Sequence, residues 1–204
     1  MPNTFAPSGF QQYSGNGSAP TYEQVTGFAN YNASAIYFGD PIYQNADGSV
    51  GIGTPGTAAL AGVFVGCKYL SVSQKRTVWS NYWPGSDVAS TQTVEVYFVN
   101  DPNARFRAQV GPSTATTGGL QPSDIGTNVQ FAYGTGNTAS GVSGAFIDIT
   151  VTPTTTATLP FRVISLITNP PGAPGTDATA GATGSFNLAV VGFNNVATKT
   201  LTGI

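Results

Sequence analysis

The chain contains no histidine, a single cysteine and few charged residues. Of its 204 residues, 7 are Lys or Arg and 9 are Asp or Glu, or 8% of the chain, against about 25% in an average soluble domain. Without histidine the chain has no Ser-His-Asp or Cys-His catalytic centre and no histidine metal site. One cysteine, Cys67, cannot form an internal disulfide or a zinc site of several thiolates, and its place in an apolar run favours a buried small hydrophobe.

Basic residues are too sparse to predict a nucleic-acid partner. The net charge is −2, and the only local basic pairs are Lys75-Arg76 and Arg105/Arg107. Contacts with nucleic-acid phosphates require clustered Lys and Arg. No apolar run approaches the roughly 18 residues of a membrane helix, and the N-terminal residues lack a basic start and an apolar segment. We therefore expect no nucleic-acid or membrane partner, and synthesis in a cytoplasm without an export signal.

Paired carboxylates are the one common catalytic option that remains, since a glycosidase needs only two acids about 5–10 Å apart. The acidic residues are Glu23, Asp40, Asp47, Asp87, Glu95, Asp101, Asp124, Asp148 and Asp177. Turn contexts explain Asp40, Asp47 and Asp101, because aspartate side chains bond to the backbone of turns. We expect structural roles for all of them. The sequence therefore predicts no enzyme, no metal site and no cofactor.

The residues that are abundant indicate a β protein. The chain has 26 Gly and 14 Pro, and 40% of it is hydrophobic, which is a neutral, turn-rich and β-prone composition. Asp47-Gly48 predicts a tight hairpin turn. The surrounding residues 34–53 predict a strand, a break and then that hairpin. Further short apolar or alternating segments predict strands over residues 60–69, 77–83, 93–99, 105–110, 146–151, 161–167 and 186–193. The predicted fold is all-β, as a single antiparallel β-barrel or a jelly-roll-like sandwich.

Two neighbouring segments alternate clearly between apolar and polar residues. In residues 93–99 the apolar row faces inward and Glu95 and Tyr97 face outward, and in residues 105–110 Arg105 and Arg107 face outward. Adjacent strands of this kind form antiparallel pairs with one solvated face. The pattern predicts such a strand pair, in which the opposite charges would permit an ion pair from Glu95 to Arg105 or Arg107.

Residues 1–35 differ in composition from residues 36–204. They carry one charge, show no sustained period, and are rich in aromatic rings. We interpret them as an extended N-terminal arm that lies on its own β body or on a neighbouring subunit. The candidate interface residues of this arm are Phe5, Phe10, Tyr13 and Tyr22.

The segment WSNYWPG contains both tryptophans, Trp79 and Trp83, together with Tyr82. Flat rings of this kind could stack on a sugar, or they could pack in a core or a subunit seam. On a regular strand, Trp79 and Trp83 would point to one side and Tyr82 to the other. Because the three rings would not form one platform, we favour a packed core or an interface over a sugar site.

A series of phrases, in order along residues 36–195, resembles the capsid decoration (cement) proteins of tailed bacteriophages. The phrases are FGDPIY (38–43), LAGVFVGCKY (60–69), WSNYWPG (79–85), VEVYFVNDPNARFRAQV (94–110), GTGNTASGVSGAFID (134–148), LPFRVISLI (159–167) and FNLAVVGFN (186–194). No single phrase is diagnostic, and the order of the series carries the resemblance.

The resemblance implies a non-enzymatic virion protein on the outer surface of a phage capsid. Its partners would be the major capsid protein and further copies of itself, often as a trimer, and it would clamp neighbouring coat subunits without a cofactor. The alternative is a decoration module that binds a carbohydrate or a host receptor. For the arm, the expectation is that deleting residues 1–20 weakens assembly and leaves the β body folded.

Overall fold

A computed structural model describes residues 4–13, 24–56, 59–111, 119–167 and 186–199. These residues form an all-β structure with one short 3-10 helix, Pro122–Asp124, so the predicted fold class is confirmed. The strands are β1 (Gln11–Gln12), β2 (Gln24–Asn30), β3 (Pro41–Gln44), β4 (Val50–Gly51), β5 (Leu60–Ser71), β6 (Arg76–Ser80), β7 (Thr93–Val99), β8 (Arg105–Gly111), β9 (Asn128–Ala132), β10 (Phe146–Asp148), β11 (Phe161–Ile167) and β12 (Leu188–Phe193).

Five strands of the first sheet close into a barrel. The pairs β8–β12, β12–β11, β11–β9 and β9–β10 are antiparallel. The ring closes through β10 and β8, which pair in parallel with Ile147 opposite Val110. This parallel pair departs from the purely antiparallel barrel that we expected. Strand β1 adds to β8, with Gln11 opposite Arg107.

Aromatic rings fill the interior of this barrel. Phe106, Phe131, Phe161 and Phe193 are buried there, each from a different strand. Phe106 and Phe193 meet edge to face, with centroids 5.0 Å apart and an interplanar angle of 70°. Rings pack well in such tilted arrangements, so these side chains fill the space enclosed by the five strands.

The second sheet has its own core. Its strand order is β2-β7-β5-β3-β4, with β6 paired to the C-terminal half of β5. The inner face buries Ile42, Phe64, Val94 and Val96. The two edges of this sheet come together, and there the Asn30 amide at the end of β2 donates a hydrogen bond to the Asp47 carboxylate in the β3–β4 turn, at 2.8 Å.

Strands β7 and β8 do not form the predicted hairpin. Strand β7 pairs with β2 and β5 in the second sheet, whereas β8 belongs to the barrel. Their connecting turn, in which Asn103 N donates to Asp101 Oδ1 at 2.8 Å, carries the chain between the sheets. The predicted pairing of these two strands was therefore wrong, and Glu95 forms its ion pair with Lys68 instead of with Arg105 or Arg107.

The described part of the predicted N-terminal arm contributes to both sheets. Strand β2 pairs with β7 along its whole length, from Gln24–Val99 to Asn30–Thr93. Strand β1 lies on the barrel, and Phe10 N donates to Gly39 O at 2.9 Å. Residues 4–13 and 24–35 are thus packed on or within the same β body as residues 36–204.

Candidate functional site

One row of side chains crosses four strands on the outer surface of the second sheet. Phe28 lies opposite Glu95, Glu95 opposite Lys68, and Lys68 opposite Trp79. We call the outward surface of β2, β7, β5 and β6 the Trp79 face. Phe28, Trp79 and Leu70 are all exposed on it. The face therefore presents large apolar groups around one pair of charges.

Trp79 is the most exposed large apolar residue in the described part of the chain, at 67%. Its ring stacks on that of Tyr97, with centroids 5.9 Å apart and planes 6° from parallel. The two residues belong to strands on either side of β5, and Tyr97 lies opposite Gly66. Because Gly66 has no side chain, the rings can meet above it. Trp79 is therefore held in one orientation while most of its surface contacts solvent.

Polar contacts join the Trp79–Tyr97 stack to Glu95 and Lys68, and we call these four residues the cluster. The Tyr97 hydroxyl donates to Glu95 Oε1 at 2.6 Å, and Lys68 Nζ lies 3.3 Å from Glu95 Oε2. The Lys68 ammonium is also 5.0 Å from the Trp79 ring centroid, within the range of a cation–π contact. An exposed ion pair adds at most about 1 kcal/mol to stability. Its main effect here is to orient Tyr97 and Lys68 around the indole.

The protonation states on this face follow from the same contacts. Hydrogen bonds from Tyr97 and then Lys68 lower the pKa of Glu95. The bond to Glu95 raises the pKa of Tyr97 to about 12. At neutral pH Glu95 is therefore a carboxylate and Tyr97 a neutral phenol. Neither of these two groups is poised near neutral pH to transfer a proton.

Two shallow grooves flank the cluster. The first has a volume of about 480 Å³, and polar groups of Gln24, Ser80 and Asn81 line it together with Trp79 and Tyr97. The second, of about 420 Å³, lies between Phe28, Leu70, Thr77 and Thr93. Both are open, so the face suits a broad partner or a chain laid along the strands.

Trp83 and Tyr82 do not join this surface. Strand β6 ends at Ser80 and the chain then bends, so the expected placement of both tryptophans on one side was wrong. Trp83 is fully buried, donates from its indole nitrogen to Ala33 O at 3.2 Å, and packs edge to face on Tyr69. Tyr82 is half-buried and stacks on Tyr37 at 5.6 Å. The ring of Trp83 is therefore a core group, unavailable to a partner.

The candidate interface residues of the N-terminal segment also differ in how deeply they are buried. Phe10 is 1% exposed and lies in the barrel core, so its ring cannot contact a neighbouring subunit in this fold. Phe5 is 38% exposed and packs edge to face on Phe146 at 5.2 Å. Tyr13 is half-buried, and its backbone nitrogen donates to Arg105 O. Tyr22 lies outside the described residues.

The described carboxylates hold turns and strands together. Asp40 accepts hydrogen bonds from Ser143 Oγ at 2.5 Å and from Tyr37 N at 2.7 Å. Burial raises the pKa of Asp40 to about 6, against the effect of these bonds. Asp101 accepts from the backbone of its own turn, and Glu95 lies in the Trp79 face. Within the described ranges, no three His, Cys, Asp or Glu residues are grouped to hold a metal ion.

Several residues of the Trp79 face were not identified from the sequence. Alternation within residues 93–99 placed Tyr97 outward, and this was the available signal for its role. No sequence signal pointed to Phe28, because residues 24–30 lack a strand pattern of their own. Leu70 and Lys68 fall at the end of a long apolar run whose outward side is not evident from the sequence.

No helix in the described residues is long and apolar enough to cross a membrane. Comparisons with protein-family models, with curated proteins and with solved structures find no match for this chain.

Proposed function

We propose that the protein is a structural component of a tailed-phage virion that binds the outer surface of the capsid. In this role it would hold neighbouring major capsid subunits together without catalysis or a cofactor. Two things support the proposal: the ordered resemblance of residues 36–195 to capsid decoration proteins, and the Trp79 face. It would be synthesised in the host cytoplasm and act on the assembled shell.

The exposure of Trp79 carries the proposal. A large ring that is 67% exposed, yet already oriented by Tyr97 and Lys68, loses little conformational freedom when a partner covers it. Interfaces depend on a few such aromatic anchors in well-packed surroundings. A protein that binds only the assembled shell stabilises that state by mass action.

The proposed oligomer is a homotrimer, in which the same surface of each copy meets a different surface of the next. Light scattering of the purified protein should give three times the chain mass of 20.9 kDa. If the trimer forms only on the shell, chemical cross-linking of decorated capsids should recover it. A monomer both in solution and on the shell would contradict the trimer and would leave capsid binding to be judged separately.

The direct test is binding to capsids prepared without the protein. Purified wild-type chain should sediment with expanded capsids and raise the temperature at which they release DNA. Trp79→Ala should weaken binding by about tenfold or more, as for an interface anchor. Ile125→Ala is the matched control, because Ile125 is also exposed, at 45%, but lies outside the Trp79 face. Decorated and undecorated capsids that release DNA at the same temperature would contradict the stabilising role.

A second candidate is carbohydrate or host-receptor binding by the same surface. The first groove places the exposed Trp79 ring beside Gln24, Ser80 and Asn81, and aromatic rings with nearby amides are suited to sugars. Titration of the protein with glycans while tryptophan fluorescence is followed tests this reading. A saturable response that is lost in Trp79→Ala would favour it, and no response across a glycan array would reject it.

A further inference from the structure

Two arginines from distant parts of the chain lie in one row on the outside of the barrel. Arg105 on β8 is opposite Gly192 on β12, and Gly192 is in turn opposite Arg162 on β11. Neighbouring strands are about 4.8 Å apart, so the two arginine backbones are separated by roughly 10 Å. Gly192 places no side chain between them. The result is a groove with a guanidinium on each side.

A third cation adjoins the groove. Lys199 lines it together with Arg105, Arg162, Asn103 and Asn194, and its volume is about 250 Å³. No Asp or Glu is among the described residues that line it. Three of the seven basic residues of the chain therefore surround one small cavity in a protein whose net charge is −2.

Two of these cations are held in place, and no acidic side chain of the described residues neutralises any of the three. Arg162 Nε donates to Asn128 Oδ1 at 3.2 Å, and Lys199 Nζ donates to Phe193 O at 2.7 Å. Both groups keep further N–H donors. The Arg105 guanidinium makes no hydrogen bond or ion pair with the rest of the described chain. The donors required by an anion are thus present and unused.

We propose that this groove, walled by Arg105, Arg162 and Lys199 over Gly192, is a binding site for a small oxyanion of the phosphate or carboxylate type. Guanidinium groups bind both kinds of anion through paired N–H donors. The volume is below the roughly 300–1,000 Å³ of sites for drug-sized ligands, which suits a small ion or the end of one acidic side chain. The site is on the barrel rather than on the Trp79 face, and it does not depend on the proposed capsid role.

The surroundings of Lys199 favour an anion at this site. Partial burial, and then the positive charge of Arg162, lower the pKa of Lys199. A bound anion would offset this repulsion between the two cations.

The test is isothermal titration of the whole chain with inorganic phosphate at fixed ionic strength, with chloride as the exchanged anion. We expect saturable binding of one phosphate per chain. Arg105→Gln should weaken it by about tenfold or more, as expected for loss of a charge-assisted pair. Arg76→Gln removes the same charge from the exposed start of β6 and should leave the affinity unchanged. Equal loss in both variants, or no saturation in the wild type, would overturn the proposal.

A second pair of variants tests the shape of the groove without altering its charges. An added Cβ at Gly192 would have Ile164 Cδ1 at 3.4 Å and Ala104 O at 3.6 Å as its nearest neighbours, which are ordinary contacts. Gly192→Ala should therefore keep most of the phosphate affinity, while Gly192→Leu should fill the groove and abolish it. Phosphate affinity that is the same in wild type and in Gly192→Leu would also overturn the site.

Titration with succinate in place of phosphate distinguishes the two sources of the anion, which are a free tetrahedral ion and the carboxylates of a protein partner. Tighter binding of phosphate, lost in Arg105→Gln, identifies a site for a free tetrahedral ion. Tighter binding of succinate, with the same loss, identifies a site for the carboxylates of a protein partner. Binding of neither anion overturns the proposal.

Discussion

Phe10 stacks on Phe161 inside the barrel, with ring centroids 4.3 Å apart and planes 11° from parallel. Phe10 belongs to the segment before β1, and Phe161 begins β11 near the other end of the chain. The contact places an N-terminal residue at the centre of the aromatic core. The N-terminal segment is therefore a structural part of the barrel as well as a strand on its surface.

Replacing Phe10 by alanine should strongly destabilise the protein. The ring is 1% exposed, so the variant loses buried area and leaves a cavity, which together cost about 3–5 kcal/mol. Denaturant unfolding followed by circular dichroism measures this loss. Deleting residues 1–20 also removes Phe10. We therefore expect this deletion to destabilise the β body, in place of the expectation that the β body stays folded without these residues.

Phe10→Leu provides the matched control for this cavity. Leucine fills part of the space, so the loss should be smaller, at about 1–2 kcal/mol. If Phe10→Ala unfolded at the same denaturant concentration as the wild type, the ring could not be a core residue.

The existence of most strands could be predicted from the sequence, because long apolar runs and alternating residues are local properties. Strands β5, β7, β8, β11 and β12 were all placed near their observed bounds. The turn at Asp47-Gly48 was also correct, and Gly48 has the positive φ of 82° that such a turn requires. Strands β2 and β9 were missed, since their pairing with neighbours, and not their own pattern, defines them.

Strand pairing and residue placement could not be predicted in the same way. Strands β7 and β8 share one alternating pattern, yet β7 belongs to the second sheet and β8 to the barrel. Alternation shows which side of a strand is buried, but it does not show which sheet the strand joins. In β5 the register shifts between Phe64 and Gly66, which hides the outward side of the run. Arg105 and Arg162 are far apart in sequence, so the barrel alone reveals that they line one groove.

The two tryptophans should report opposite environments. Trp83→Phe leaves Trp79, which is 67% exposed, and Trp79→Phe leaves Trp83, which is fully buried. We expect red-shifted emission that iodide quenches readily in the first variant, and blue-shifted, protected emission in the second. Steady-state fluorescence with iodide measures both. Similar quenching of the two variants would contradict the placement of Trp79 on an outer face.

Cys67 should be unreactive until the protein unfolds. It is 1% exposed, and burial raises the pKa of its thiol to about 12. The thiolate is the reactive form, so labelling by an aromatic disulfide reagent at pH 8 should be negligible for the native chain and complete in concentrated urea. Rapid stoichiometric labelling without denaturant would show that the second core is open at this point.

The buried Asp40 should make the protein less stable as the pH rises through about 6. Burial raises the pKa of Asp40 from 3.8 to about 6 in the folded chain, while bonds from Ser143 and Tyr37 oppose the shift. The folded state therefore binds this proton more tightly than the unfolded state does. The stabilisation is fully present below the unfolded pKa and is lost as the pH rises through the folded one. A shift of this size corresponds to about 3 kcal/mol.

Asp40→Asn isolates this contribution, because asparagine does not titrate. Asp47, Asp87 and Glu95 have lowered pKa values, so they act in the opposite direction, but they are common to both proteins. The free energy of unfolding of the wild type, minus that of Asp40→Asn, should fall by about 3 kcal/mol between roughly pH 3.5 and pH 7. Denaturant titrations at a series of pH values measure it. A difference that stays constant, or rises with pH, would mean that Asp40 is ionised in the folded chain without penalty.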